Sequence, residues 1–530
     1  MKVVTAAQMA ELEQASERRG VNTDTLMENA GLAVAVAARR LLGGVAGARV
    51  LVLAGPGNNG ADGLVSARHL QRWGARVTAY VVAGRPPADP KMGLAREYGV
   101  EALYSGDDPG LDKLGRLLAR SRLVIDAVLG TGGTGRARPL EGVLKDVMLS
   151  LGNGSAAPGR PLLLALDLPT GLNADSGEVD PACPVADQTL ALGRPKPGLL
   201  SFPGAAHVGK LEVADIGLPP DLEEEKGIDL ELLTSGWAGR CLPARPLNSH
   251  KGAFGHVLVV AGSRNYVGAA CLASLAATRV GAGLVTLATP RSVYTIAAGK
   301  LTEVIHLPLP EDGEGRIHAD AAELILATLD RYNALLVGCG MGWSAGTTDF
   351  MERLLLARGR KAPAVPTVID ADGLNNLSHL AEWWQRLGNP AVVTPHPGEM
   401  ATLTGLPTSE VQQDRVGSAR RWAARWQVAV ALKGAYTAVA EPAGLVRISP
   451  FANPGLASGG TGDVLTGIIA GLMAQGLSPG DAACCGVYLH GHVAETVRER
   501  LGDAGMVASD LAADLPGSIN RLRRGAGVAE

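Results

Sequence analysis

The densest chemistry in this sequence lies at 453–476, which reads NPGLASGGTGDVLTGIIAGLMAQG. Gly459, Gly460 and Gly462 give a backbone that can turn sharply and approach a ligand with no Cβ in the way. Val464, Leu465, Ile468, Ile469 and Leu472 follow at helical spacing. That spacing puts the glycines at a helix N-terminus, where free N–H groups and the helix dipole favour an anion. Asp463 is then a carboxylate in the first turn of an anion-binding helix. Two readings fit. In one, the helix holds a phosphoryl group in transfer and Asp463 takes the proton from the attacking hydroxyl. In the other, Thr461 is a helix N-cap and Asp463 only complements the dipole.

A second concentration lies in the first 220 residues. The apolar run at 49–54 leads into GPGNNGADG at 55–63, a strand, glycine turn and helix arrangement suited to nucleotides or phosphate. The turn is neither GxGxxG nor a Walker loop. Asn58, Asn59 and Asp62 offer oxygens that also suit a hard cation or ribose hydroxyls. Two further strands end in chemistry: Asp126 precedes the glycine loop at 130–136, and Asp167 precedes Pro169, Thr170 and Gly171. Each aspartate alone reads as a turn or cap residue. Ligands of an open parallel sheet bind outside the carboxyl ends of the strands, so together these residues are expected to converge on one pocket.

The later half carries four more polar or glycine-rich loops: GCGMG at 338–342, Asp370 to Asn375, His396 to Glu399, and Lys433 to Thr437. His396 alone reads as a hydrogen-bonded structural histidine and Lys433 as a solvated one. Trp422 and Trp426 are spaced for core packing.

The elements that must position these residues are those of α/β domains. Thr5-x-x-Gln8 is a capping box opening a helix that stops near Gly20, and Thr25-x-x-Glu28 opens another over 26–42. Unalternating apolar runs at 49–54, 76–82, 123–128 and 162–168 read as buried parallel strands. A strand at 257–261 opens a second series, near 284, 304, 335, 367, 392 and 428. The Pro pair and charges at 218–226 put a boundary near residue 222, with a connecting segment to about 246. A chain of 530 residues is too long for one core. A net charge of -3 argues for neither nucleic acid nor a membrane surface. The apolar runs at 30–38 and 464–477 are too short to span a bilayer, and the N-terminus has charges where a signal peptide needs an apolar core. Six cysteines without CxxC spacing suggest a reduced compartment, and the expectation is a cytoplasmic protein.

GPGNNGADG, DAVLGTGGTGR and DLPTG together resemble the NAD(P)H-hydrate epimerase domain, over about 1–218. The resemblance implies a Rossmann-like doubly wound sheet for a domain at 1–222, with potassium held by Asn59, Asp126 and Thr170. It puts Asn58, Asn59, Gly60, Ala61 and Asp62 on the hydrated nicotinamide nucleotide, with Gly130, Thr131, Gly132, Gly133, Thr134, Gly135 and Arg136. Asp167 would bind it too, and is our choice of catalytic acid/base. Ala61 stands where that family usually has Gly, and Thr170 where Ser is common.

SHKGAFGHVLVVAGS, GCGMG, DADGLN, TPHPGEM, LKGAYT and NPGLASGGTGDVL resemble the NAD(P)H-hydrate dehydratase branch of the ribokinase-like family. The implied domain is α/β/α, at 230–525. Lys433, Gly434, Ala435, Tyr436, Thr437 and Gly462 would hold the adenine nucleotide. Ala269, Gly342, His396 and Asp463 would face the substrate, with Asp463 catalytic. Cys339 and Met341 replace the family's usual Pro and Leu. The resemblance implies ADP as phosphoryl donor, magnesium, the hydrates NADHX and NADPHX as substrates, and a homo-oligomer. The alternative expectation is a ribokinase-like small-molecule kinase with an N-terminal binding module.

Overall fold

Runs of Val, Leu and Ala that bury both of their faces build two sheets. The computed structural model describes residues 1–82, 84–86, 88–132, 139–152, 159–356 and 365–527. They form two units, Met1–Ile228 and Asp229–Glu530. Among the described residues no helix is long and apolar enough to cross a membrane, and all six cysteines are free.

Among the described residues the first unit holds seven parallel strands: β1 (Arg49–Ala54), β2 (Arg76–Val81), β3 (Glu101–Tyr104), β4 (Leu123–Ala127), β5 (Leu162–Leu166), β6 (Gln188–Leu192) and β7 (Lys210–Ala214). Their order is β3-β2-β1-β4-β5-β6-β7, so the direction of winding reverses between β1 and β4. That reversal opens a crevice at the strands' carboxyl ends. Val50, Val52 and Ala54 pack in one core with the helices Thr23–Leu41 and Asn58–Arg72, while Leu51 and Leu53 pack in another on the opposite face. This is the doubly wound sheet expected from the unalternating strands.

Local chemistry moved two boundaries. Asn22, not Thr25, caps the second helix, its side chain accepting from the Thr25 amide. The turn expected at 55–63 is shorter than its composition implied. The helix begins at Asn58, so Asn58, Asn59, Gly60, Ala61 and Asp62 occupy its first turns. Leu222 and Ile228 are buried in the first unit, and the segment after them already forms a strand and a helix of the second.

The second unit holds β8 (Leu230–Leu232), β9 (His256–Val260), β10 (Leu284–Pro290), β11 (Ile305–Leu309) and β12 (Ala334–Val337). It continues with β13 (Thr367–Ile369), β14 (Ala391–Val393), β15 (Ala429–Leu432), β16 (Ala438–Ala440) and β17 (Val446–Ile448). The order is β11-β10-β9-β12-β13-β14-β15-β16-β17-β8, antiparallel only where β16 meets β15 and β17. Val257 and Val259 face a core shared with the helices Val267–Arg279, Thr461–Ala474 and Pro479–Leu501. Leu258 and Val260 face the other layer, where Trp422 and Trp426 pack with ring centroids 5.0 Å apart, as core residues. The α/β/α layering follows from strands that bury alternate residues against helices on each side.

Candidate active sites

In the first unit the register of β1 against β4 brings the turns after Ala54 and Ala127 together. A methyl group on Gly55 would stand 1.8 Å from the Val128 carbonyl oxygen, so only glycine allows this approach. A cleft of about 570 Å³ opens there, lined by Asn58, Asn59, Asp62, Gly130, Thr131, Gly132 and Asp167 among others. Gly60 and Ala61 are buried within the helix and do not line it. Gly133, Thr134, Gly135 and Arg136 lie outside the described residues. The helix Asn58–Arg72 has no side-chain cap, so its first amides remain available to an anion. Arg85 fixes the turn before it, donating to the carbonyls of Gly55 and Gly57 while paired with Asp89 at 2.5 Å.

Asp126 is fully buried. It accepts from the Thr170 amide at 2.8 Å, the Thr170 hydroxyl at 2.7 Å and the Val128 amide at 3.3 Å. The Leu129 amide donates to the Thr170 hydroxyl oxygen. Burial raises the Asp126 pKa, and the Thr170 and Val128 bonds oppose that rise. The buried amide nitrogen of Asn59 has no partner. The unpartnered Asn59 Nδ2 is a hydrogen-bond donor and calls for an acceptor. What fits an oxygen-preferring cation is the buried Asp126 carboxylate, to which no cationic side chain is bonded among the described residues, with the Thr170 hydroxyl and the Asn59 carbonyl oxygen. Among the described residues no three His, Cys, Asp or Glu side chains cluster to hold a metal, so such a cation would take mostly neutral oxygens.

Asp167 follows β5 with φ +67°. Its Oδ1 accepts from Lys196 Nζ at 2.5 Å and from the Leu192 amide at 3.1 Å. Lys196, Glu13 and Arg85 were not anticipated from sequence. Lys196 lies between two prolines and Arg85 before two, outside any glycine-rich or acidic motif, and Glu13 sits in an ordinary helix.

In the second unit Asp463 stands in the first turn of the helix Thr461–Ala474. The N-cap is Gly460, at φ +89°, with no side-chain cap. The capping reading of Thr461 is thus corrected: its hydroxyl donates to the Leu456 and Ser458 carbonyls, within the loop. A methyl on Gly460 would also lie 2.6 Å from Leu272 Cδ1. The amides at this N-terminus remain free of side chains, as an anion site needs.

Lys433 directly follows β15 and reaches Asp370 Oδ1 at 2.6 Å and Glu399 Oε2 at 3.7 Å. A methyl on Gly462 would sit 3.5 Å from Lys433 Nζ and 3.9 Å from Asp370 Oδ2, so these residues converge at the helix start. Burial opposes the lysine's charge, but Asp370 and Glu399 outweigh it and raise its pKa. Burial, then Asp370, pushes the Asp463 pKa up to about 6. Gly342 donates its amide to Asp372 at 2.9 Å. Ala269 packs against the turn at Gly340. His396 caps its helix, exchanging hydrogen bonds with Glu399, and its side chain is 56% exposed. Among the described residues His396 forms no hydrogen bond or ion pair with Asp463. The Lys433–Thr437 loop is folded on itself, Thr437 donating to the Gly434 carbonyl, while Tyr436 is at φ +53°.

Two supporting residues were missed. Arg415 is partly buried, and desolvation lowers its pKa to about 10; its guanidinium donates to the carbonyls of Leu432, Lys433 and Ala435. His490 interacts with the Thr461 backbone, and burial holds its pKa down to about 4, so it is neutral. Neither sits in a glycine-rich or acidic motif that would have marked it.

A family model described as NAD(P)H-hydrate dehydratase matches residues 257–517, and one described as YjeF-related protein N-terminus matches 23–198. The bifunctional NAD(P)H-hydrate repair enzyme Nnr of Moorella thermoacetica is 40% identical over 528 residues, 98% of this chain and 97% of that protein. Its namesake in Thermofilum pendens is 36% identical over 530 residues, 99% and 97% of the two chains. Among solved structures, the ADP/ATP-dependent NAD(P)H-hydrate dehydratase of Bacillus subtilis, co-crystallised with ATP and Mg2+, is 31% identical. It covers 55% of this chain and 98% of its own, with a TM-score of 0.47.

Proposed function

This chain belongs to the bifunctional NAD(P)H-hydrate repair enzymes, and on that premise we propose how its two sites divide the work. The first unit is an NAD(P)H-hydrate epimerase and the second an NAD(P)H-hydrate dehydratase. Hydration leaves a hydroxyl on the nicotinamide ring, and hydroxide is a poor leaving group. The dehydratase site makes it a good one. Asp463 takes the hydroxyl proton as that oxygen attacks the terminal phosphorus of the nucleotide, and the P–O bond to the leaving nucleotide breaks. The amides at Gly460 to Gly462 hold the transferred phosphoryl group. Phosphate then departs with the ring C–O electron pair, a neighbouring ring carbon loses a proton, and the double bond returns. With ADP as donor the net products are NAD(P)H, AMP and phosphate.

The observation that carries this reading is the placement of Asp463, a carboxylate whose pKa burial raises to about 6, in the first turn of an uncapped, glycine-built helix N-terminus. Lys433 and Gly462 converge there, and we assign the Lys433–Thr437 loop to the nucleotide, with Arg415 holding its backbone. Ala269, Gly342 and His396 are assigned to the nicotinamide hydrate. Magnesium would share the nucleotide's phosphate oxygens and neutralise their charge.

The epimerase supplies the S hydrate from the R form, with Asp167 as acid/base in the cleft and the first turns of Asn58–Arg72 binding the nucleotide. Potassium would be held by Asn59, Asp126 and Thr170, and would fix the turns at Leu129 and Asp167. We further propose a cytoplasmic homo-oligomer.

Incubating the S hydrate with ADP and magnesium tests the chemistry. NADH, AMP and phosphate are expected in equal amounts. A phosphorylated hydrate that accumulates would instead make the second unit an ordinary small-molecule kinase.

A further inference from the structure

Among the described residues the epimerase cleft is lined by three carboxylates, on Glu13, Asp62 and Asp167, and by one ammonium group, on Lys196. They come from separate elements: the helix Ala6–Arg18, the helix Asn58–Arg72, the end of β5 and the loop after β6. Burial raises the Glu13 pKa, with Lys196 pulling it down and Asp167 pushing it up. Burial, then Asp167 and Glu13, raises that of Asp62, against Lys91 and Arg85. Those two cations are held elsewhere, Lys91 by Glu28 and Asp24 and Arg85 by Asp89. Lys196 is different. Its side chain is 1% exposed and its Nζ lies 2.5 Å from Asp167 Oδ1, with a second bond to the Leu192 carbonyl at 3.3 Å. The Leu192 amide binds the same Oδ1, and among the described residues no hydrogen bond reaches Oδ2. Asp167 is also held at a left-handed φ, a conformation that gathers at functional sites.

We infer that Lys196 is a positioning residue of the epimerase: it clamps Asp167 by one oxygen, leaves the other for the hydrated ring, and carries the positive charge that a carboxylate beside Glu13 and Asp62 requires. The inference rests on the reading of Asp167 as the acid/base. A neutral donor would orient Asp167 equally well but would remove the one ammonium group that lines the cleft among the described residues. The charge, not only the hydrogen bond, is therefore what Lys196 contributes.

The test follows interconversion of separated R and S hydrates without ADP, from about pH 5 to 9, corrected for the spontaneous rate, for Lys196→Met, Lys196→Arg, Glu13→Gln and Asp167→Asn. Dehydration of the S hydrate and Tm are read on the same preparations. Removing an adjacent cation raises a carboxylate's titration by about one to three units. The acid limb of Lys196→Met should therefore move up by about one to three pH units, with activity lost on the acid side and recovered as pH rises. Lys196→Arg should keep most of the activity, and dehydration should not change. A Lys196→Met profile that is unaltered, or reduced equally at every pH, overturns the inference. If Lys196→Met fails to fold, Glu13→Gln decides: its acid limb must move to lower pH, and an unmoved limb overturns the proposal. If Asp167→Asn epimerises normally, the reading of Asp167 itself is what fails. If it is inactive while Lys196→Met is normal, only the role of Lys196 fails.

Discussion

Lys433 Nζ sits 2.6 Å from Asp370 Oδ1, while Asp463, on the same helix start, forms no ion pair among the described residues. The lysine's charge is thus largely neutralised by a neighbour, and Asp463 is left partly buried near a second carboxylate. A base in that position is ionised only above about pH 6. The dehydratase should therefore lose activity as pH falls through about 6 and be flat above it, in kcat/KM measured against the S hydrate. Because Lys433 also lowers the Asp463 pKa, Lys433→Met should move this limb to higher pH. A limb near pH 4 in the intact enzyme would show that Asp463 is not the titrating base.

Asp463→Asn should reduce dehydration by about 10²- to 10⁴-fold, the contribution of a positioned general base, and leave epimerisation intact. The same change should stabilise the second unit. A folded-state pKa raised above the unfolded value penalises the native state above about pH 6, and the penalty vanishes below the unfolded value of 3.8. The gain should be about 2 kcal/mol or less at pH 8 and absent near pH 4, in denaturant unfolding. Loss of both activities together would contradict the assignment of separate sites.

Lys433→Met should also destabilise. It strands Asp370, whose side chain is 2% exposed, without its cation. Breaking one half of a buried pair costs about 3–5 kcal/mol. Lys433→Met with Asp370→Leu should recover much of that stability but not the activity, which separates the pair's structural role from nucleotide binding.

The strands, glycine turns and strand-end aspartates were legible because their signals are local. β1, β4, β5, β9 and β12 are built on apolar runs, and Asp126, Asp167 and Asp370 directly follow the apolar residues of their strands. β3, β7 and β8 were not legible, since EALY, KLEVA and LEL are short and mix charged with apolar residues, as strands at or near a sheet edge do. The partners of the catalytic groups were hidden for another reason. Lys196 meets Asp167 across 29 residues, and Lys433 meets Asp370 across 63. Only the strand order brings them together. The start of the helix Asn58–Arg72 was misplaced because asparagine and glycine favour turns, whereas here they serve as its first residues.

Potassium should be needed by the epimerase alone. Thr170→Val removes the hydroxyl that links Asp126 to the Leu129 amide. It should weaken potassium activation of epimerisation by about 10- to 100-fold, as loss of a metal ligand or its support does. Thr170→Ser should retain it. Titrating potassium chloride against choline chloride provides the reading. An epimerase indifferent to potassium in the intact chain would remove the cation from this account.

Gly460→Ala introduces a side chain at φ +89° and against Leu272. It should cost about 1–3 kcal/mol and lower dehydration by displacing the amides at the helix start. Tm and the KM for ADP check this. An unchanged KM with normal Tm would mean that the turn at Gly460 does not set the phosphate site.

The most direct test of the whole account is recovery of NADH absorbance from a mixture of both hydrate epimers, given ADP or ATP with magnesium. Full recovery with ADP is the predicted result, because the first unit feeds one epimer to the second. Recovery that stalls near the share of one epimer, beyond slow spontaneous interconversion, would contradict epimerisation by the first unit. No recovery with either nucleotide would contradict the repair reaction altogether.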